Sequence, residues 1–138
     1  MNTVLVTGGS GFVGRRTIPE LVSQGARVMA LARSDDAAEQ VRALGAEPLI
    51  ADLDDPAGLS TAFKASGADS LMNIASLGFG HAPAIVSACI EASIGRAVFV
   101  STTAVFTRLN APSKAIRLAA ERTVEVGGLA FTIVRPTM

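Results

Sequence analysis

Thr7-Gly8-Gly9-Ser10-Gly11-Phe12-Val13-Gly14 is the stretch on which the fold turns. It directly follows the apolar run Val4-Leu5-Val6 and opens a segment with helical periodicity. Glycines 8, 11 and 14 give the spacing GxxGxxG. Gly8 lets the chain leave a strand in a tight turn. Gly11 presents no side chain that would hold a diphosphate off the backbone, and Gly14 lets a helix pack close to a sheet. The first amides of a helix have no partner within it, and they lie at the positive end of its dipole, so they receive an anion. A glycine triplet alone is a weak signal. Between a strand and a helix, in the first of a series of strand–helix units, it predicts a dinucleotide cradle over residues 7–14.

Outward from this loop, apolar runs alternate with helical stretches, and Gly or Pro marks nearly every junction. The pattern predicts a helix over 12–24, with Phe12, Val13, Ile18, Leu21 and Val22 as its apolar stripe, Gly25 beyond its end and Pro19 inside it. Val28–Leu31 reads as a second strand. Ser34 is an N-cap for a helix that carries Asp35 and Asp36 in its first turn and stops at Gly45. Pro48–Ala51 is a third strand, and Asp55-Pro56 starts a helix closed by Gly67. Leu71–Ala75 is a fourth strand, followed by a loop with Gly78, Gly80 and His81 and a helix from Pro83 to Gly95. Ala97–Val100, a helix from Asn110 to about Val126, and a strand over Leu129–Val134 complete the series. Strands alternating with helices of this length mean parallel pairing with both faces of the sheet covered. No linker divides residues 1–138, which form a single domain.

Composition narrows the function. Of 138 residues, 49% are hydrophobic and 17% charged, which suits a packed core and not a disordered chain. Twelve basic residues balance twelve acidic ones, so the basic excess a nucleic-acid binder needs is absent. Cys89 and His81 are the single cysteine and histidine, which leaves no internal disulfide and no set of ligands for zinc. Cys89, among Ile85, Val86, Ala88 and Ile90, reads as a small packed hydrophobe, and His81 as a loop residue. No apolar run reaches the roughly 18 residues that span a bilayer, and no signal segment precedes Val4. The expectation is a cytoplasmic protein with neither nucleic-acid nor membrane partners.

The chain resembles the short-chain dehydrogenase/reductase superfamily, and more narrowly its extended and atypical epimerase/dehydratase-like members. The resemblance runs over essentially all 138 residues. Residues 7–14 match the family's TGxxGxxG. Asp52-Leu53 matches an Asp-hydrophobic pair that touches adenine. Asn73-Ile-Ala75-Ser76 stands where the fourth-strand motif lines the cofactor. Phe99–Phe106 matches VSSxxVYG and puts Thr102 at the catalytic Ser/Thr position. Ser113-Lys114 matches the end of YxxSK, and Arg135-Pro136 the RP after the sixth strand. The resemblance implies a Rossmann-type doubly wound sheet in the order 3-2-1-4-5-6, with helices on both faces. It also implies that a C-terminal substrate-binding portion is missing after Met138.

Two features bear on chemistry. The acid that binds a ribose 2′-hydroxyl in NAD-binding relatives aligns with Ala32, and Arg33 and Ser34 follow it. A guanidinium beside a hydroxyl and a helix N-terminus attracts a 2′-phosphate, so NADP(H) is expected over NAD(H). The resemblance gives Thr102 a substrate oxygen and Lys114 the nicotinamide ribose. The family's catalytic Tyr aligns with Asn110, however, and the sequence contains no Tyr. Asn110 reads as the N-cap of the following helix, and Lys114, a cation in that helix's first turn, as a retained ribose contact. An oxidoreductase of unknown small-molecule substrate, a non-catalytic dinucleotide-binding or redox-sensing module, and a remnant all remain open. In relatives the fourth and fifth helices commonly form a dimer interface. The apolar residues of 81–94 and 110–126 (Ile85, Val86, Ile90; Ile116, Leu118, Val124) therefore predict a homo-oligomer.

Overall fold

The computed structural model describes residues 2–106, 108 and 112–137. Among them, strands β1 (Thr3–Thr7), β2 (Arg27–Ala32), β3 (Glu47–Ile50), β4 (Ser70–Asn73), β5 (Arg96–Val100) and β6 (Ala130–Val134) alternate with helices. These are α1 (Gly14–Ser23), α2 (Asp35–Ala43), α3 (Pro56–Ser66), α4 (Ala82–Glu91) and α5 (Pro112–Val126). Short 3-10 turns lie at Leu77–Phe79 and Thr103–Phe106. The strands form one parallel sheet in the order β3-β2-β1-β4-β5-β6, as expected. No helix among the described residues is long and apolar enough to cross a membrane.

Alternation along the strands explains the layering. Val4 and Val6 of β1, with Val28 and Ala30 of β2, face Ile18 of α1 and Val41 of α2. Leu5 and Met29 point the other way, into a larger cluster with Leu59 and Phe63 of α3, Ile85 and Cys89 of α4, and Val124 of α5. Two-residue periodicity thus sends neighbouring side chains of one strand into two separate cores. Ser34 and Asp55 cap α2 and α3 as read, accepting from the amides of Ala37 at 3.2 Å and Gly58 at 3.1 Å.

Several expectations need correction. Helix α1 starts at Gly14 and not at Phe12, because the glycine loop keeps turning through Val13. Phe12 and Val13 are consequently exposed loop residues, and of the expected stripe Ile18 alone is fully buried. Pro19 lies within α1 and the helix runs unbroken through it, so the proline withholds one backbone donor without ending the helix. Helix α4 stops at Glu91, well before Gly95. Ser93 adopts a left-handed φ of 57° and Ile94 N donates to Cys89 O at 3.0 Å, so a serine takes the terminating position that glycine usually holds. In the expected dimer face, Ile85, Val86 and Val124 are buried within the chain's own core, where α4 and α5 pack on each other; Ile90 and Ile116 are left outside. The cap assigned to Asn110 lies outside the described residues.

Candidate dinucleotide site

The loops after β1, β2, β3 and β4 leave one end of the sheet and enclose a cavity of about 310 Å³. Its wall brings together Thr7, Gly8 and Ser10 from the first loop, Arg33 and Ser34 from the second, Asp52, Leu53 and Asp54 from the third, and Ala75 and His81 from the fourth. Parallel sheets take ligands at this end, beside the point where the strand order reverses between β1 and β4.

The register of β1 on β4 sets Thr7 opposite Asn73. The Thr7 hydroxyl donates to Asn73 Oδ1 at 2.6 Å and accepts from Ala75 N at 3.2 Å, while Asn73 Nδ2 donates to Ala75 O at 3.1 Å. This closed ring of bonds fastens the two loops at the crevice floor. Thr7, one of the expected cofactor contacts, lines the cavity, and its hydroxyl is bonded within the floor.

The glycines have distinct duties. Gly8 has φ +70°, and a Cβ there would lie 2.6 Å from Ala75 N. A Cβ on Gly14 would meet the carbonyl oxygens of Gly9 and Gly8 at 2.4 and 2.5 Å, so the close approach is to the loop and not to the sheet as expected. Gly9 is buried, and its Cβ would strike Ile18 Cδ1 at 2.8 Å. Gly11 differs: a Cβ there meets only Gly8 O, at 3.4 Å, an ordinary contact. Protein packing does not demand a glycine at 11, whereas a ligand lying against the loop would.

The start of α1 is open to an anion. Val13 at the N-cap has no side-chain cap bond, and among the described residues the amides of Ser10, Phe12 and Val13 donate to no protein acceptor. Arg16 braces the loop from outside, with its guanidinium 4.0 Å from the Phe12 ring centroid and donating to Phe12 O at 3.1 Å. Uncapped amides, a helix N-terminus and an empty Cβ position at Gly11 fit a diphosphate.

Arg33 is exposed on the cavity wall and takes no part in the ion pairs among the described residues. Asp35 and Asp36 therefore do not engage it. Ser34 has its hydroxyl engaged as the α2 cap. Asp52 Oδ1 accepts from Asp54 N at 2.8 Å, which shapes the third loop.

On the β5 side, Thr102 is buried just after the strand and Lys114 lies half-buried in the first turn of α5; neither is on the cavity wall. Asn110 lies outside the described residues. What does appear there is Glu121, buried on α5, accepting from Ser101 Oγ at 2.7 Å and from Arg135 Nη2 at 2.5 Å. Burial works to raise its carboxyl, but the bonds from Arg135 and Ser101 outweigh that and hold it below the usual carboxylate range. The arginine of the RP pair is thus a structural tie, while its guanidinium lies 5.3 Å from the Phe106 ring centroid.

The sequence does not reveal the bonds of Glu121, the place of Asp54 or the contact that His81 makes with Asp54 on the cavity wall. Helical spacing from Ala120 and Val124 puts Glu121 on the buried stripe of α5, a signal that was available. Nothing in the run Asp52-Leu53-Asp54-Asp55 marks Asp54 out.

Similarity to known proteins accords with this geometry. Over 113 residues, 72% of this chain, it is 37% identical to a 4-hydroxy-2-methyl-3-oxo-4-farnesyl-3,4-dihydroquinoline-1-oxide ketoreductase of Stigmatella aurantiaca. Over 75 residues, 54% of this chain, it is 41% identical to a decarboxylating sterol-4-alpha-carboxylate 3-dehydrogenase of Dictyostelium discoideum. These matches cover 33% and 22% of the relatives' own lengths. A solved structure from Bacillus halodurans, described as an NAD-dependent epimerase/dehydratase, superposes with a TM-score of 0.88 at 24% identity, over 99% of this chain and 71% of that one. The likeness to the solved structure concerns the fold. The model of the family described as NAD(P)H-binding matches residues 8–138, nearly the whole chain. With the open amides of α1 and the glycine loop in place, this chain belongs to the NAD(P)H-binding family.

Proposed function

We propose that the chain is the NADP(H)-binding part of an atypical short-chain oxidoreductase that acts on a carbonyl compound. The observation that carries the choice of NADP(H) is the sequence Ala32-Arg33-Ser34 at the end of β2: no acid, and an exposed guanidinium on the cavity wall without an ion-pair partner among the described residues. An acid there would repel a 2′-phosphate, and Arg33 attracts it in a charge-assisted bond. The names of the two curated relatives, a ketoreductase and a dehydrogenase, support the reaction class.

When bound, the nicotinamide supplies or accepts hydride. The amides of the glycine loop hold the diphosphate, Asp52 and Leu53 flank the adenine, Lys114 holds the nicotinamide ribose, and Thr102 donates to the substrate oxygen. The proton donor is the weak link. Asn110 stands at the family's Tyr position, and a carboxamide has no usable acidity near neutral pH, a loss of roughly 10²–10⁴-fold in rate. That replacement favours a second reading, a dinucleotide-binding module without turnover. A homo-oligomer, in this reading, meets its second copy through Ile90 and Ile116, and the protein works in the cytoplasm.

Titration with NADPH and NADH, followed by nicotinamide fluorescence, tests the assignment. Arg33→Ala is expected to weaken NADPH by about tenfold or more, the worth of one charge-assisted bond, and to leave NADH nearly unchanged. Equal losses for both refute the preference. NADPH consumption with a panel of carbonyl compounds separates the oxidoreductase from the module.

A further inference from the structure

Asp54 and His81 stand on loops that the sheet keeps apart. In the order β3-β2-β1-β4, two strands separate the end of β3 from the end of β4, about 14 Å at ordinary strand spacing. Yet His81 Nε2 lies 2.7 Å from Asp54 Oδ1. The packing of α3 against α4 on one face of the sheet brings the starts of the two helices together, and both residues line the cavity with Arg33.

The pair is poorly explained as a device for stability. The Asp54 side chain is 74% exposed, and exposed ion pairs contribute little. A carboxylate only accepts, so the ring donates from Nε2, and in the neutral ring Nδ1 is then a bare acceptor. That Nδ1 is buried with no hydrogen-bond partner. A half-satisfied imidazole, 16% exposed and bonded to a solvent-facing carboxylate, gains little for the fold. It does line the same cavity as Arg33 and Asp52. Asp54 is itself held through its amide by Asp52 Oδ1, so the ring is tied to the residue that the dinucleotide reading sets against adenine.

We propose that Asp54 and His81 form a clasp over the adenosine half of the dinucleotide, with the imidazole as the wall against that half and Asp54 as its positioning residue. The proposal rests on the dinucleotide reading above. The clasp grips a part common to NADPH and NADH, so it sets affinity for both and preference for neither. Thr102 and Lys114 lie off the cavity wall that the clasp lines, so it leaves the nicotinamide half untouched.

Fragments separate the two halves. Calorimetric titration of the full chain with NADPH, NADH, AMP and reduced nicotinamide mononucleotide is the experiment. His81→Ala is expected to weaken NADPH, NADH and AMP by about tenfold or more, and the nicotinamide mononucleotide by less than about twofold, on the view that one wall serves one half. Asp54→Asn moves the same ligands in the same direction by less. His81→Gln, whose amide still donates to Asp54, recovers most of the AMP affinity. A His81→Ala chain that binds AMP like the parent overturns the clasp, and so does one that loses both fragments equally. Circular dichroism checks the fold; if His81→Ala does not fold, Asp54→Asn decides. A parent chain that binds no NADPH sinks the dinucleotide reading, whereas a binding parent with an indifferent His81→Ala sinks the clasp alone.

Discussion

Gly8 and Gly11 share a motif but not a reason. Gly8 combines φ +70° with a hypothetical Cβ 2.6 Å from a backbone nitrogen, so alanine there strains the chain and displaces β4's loop. We expect Gly8→Ala to lower stability by about 2 kcal/mol or more in urea unfolding. Gly11 has room for a methyl group. Gly11→Ala is expected to keep its urea midpoint while NADPH affinity falls by about tenfold, since the added carbon occupies the space a diphosphate needs. A stability loss at Gly11 matching that at Gly8 contradicts the assignment. The spacing of the glycines was legible in the sequence because the motif is local. Which glycine serves the protein and which the ligand was not, because that depends on Ala75, a neighbour 67 residues away along the chain.

At the scale of elements, the tie between α5, the end of β5 and the residue after β6 rests on Glu121. The folded carboxyl titrates below its ordinary value of 4.5, so its contribution is fully present above that value and fades as pH falls through the lower folded one. Glu121→Gln is expected to cost about 2 kcal/mol at pH 7, the worth of hydrogen bonds to a charged group. The gap to the parent narrows as pH drops below 4.5; urea titrations at several pH values measure it. An unchanging gap means the charge is not what matters. The elements themselves were readable, with the caps at Ser34 and Asp55, because those signals lie within three residues of their effect. The end of α4 was misplaced because Ser93 took a conformation that Gly95 advertised. The bonds from Thr7 to Asn73 and from Glu121 to Ser101 were hidden because strand order and helix docking make them.

Across the whole molecule, the parallel sheet divides the interior into two apolar clusters, and the sole thiol sits in the larger one. Burial pushes the Cys89 thiol up to about 12, so at pH 8 it is both covered and protonated. Ellman's reagent is expected to react with the native chain only through global opening and promptly in denaturant; fast native labelling contradicts the packing of α4. The division of layers, and Cys89 within it, was legible from period-two alternation, whereas the crossing from Asp54 to His81 was not, since the docking of α3 on α4 makes it.

That crossing makes the chemistry of one face audible on the other. Asp54 leads into α3 and His81 into α4, and both helices pack around the thiol. Anything lodged between those loops is bound only while the molecule is whole. At a concentration about a hundred times its dissociation constant, such a guest would slow the appearance of the yellow thiolate about a hundredfold. A sulfur sealed behind the sheet thereby becomes a clock for the occupancy of a crevice it never touches.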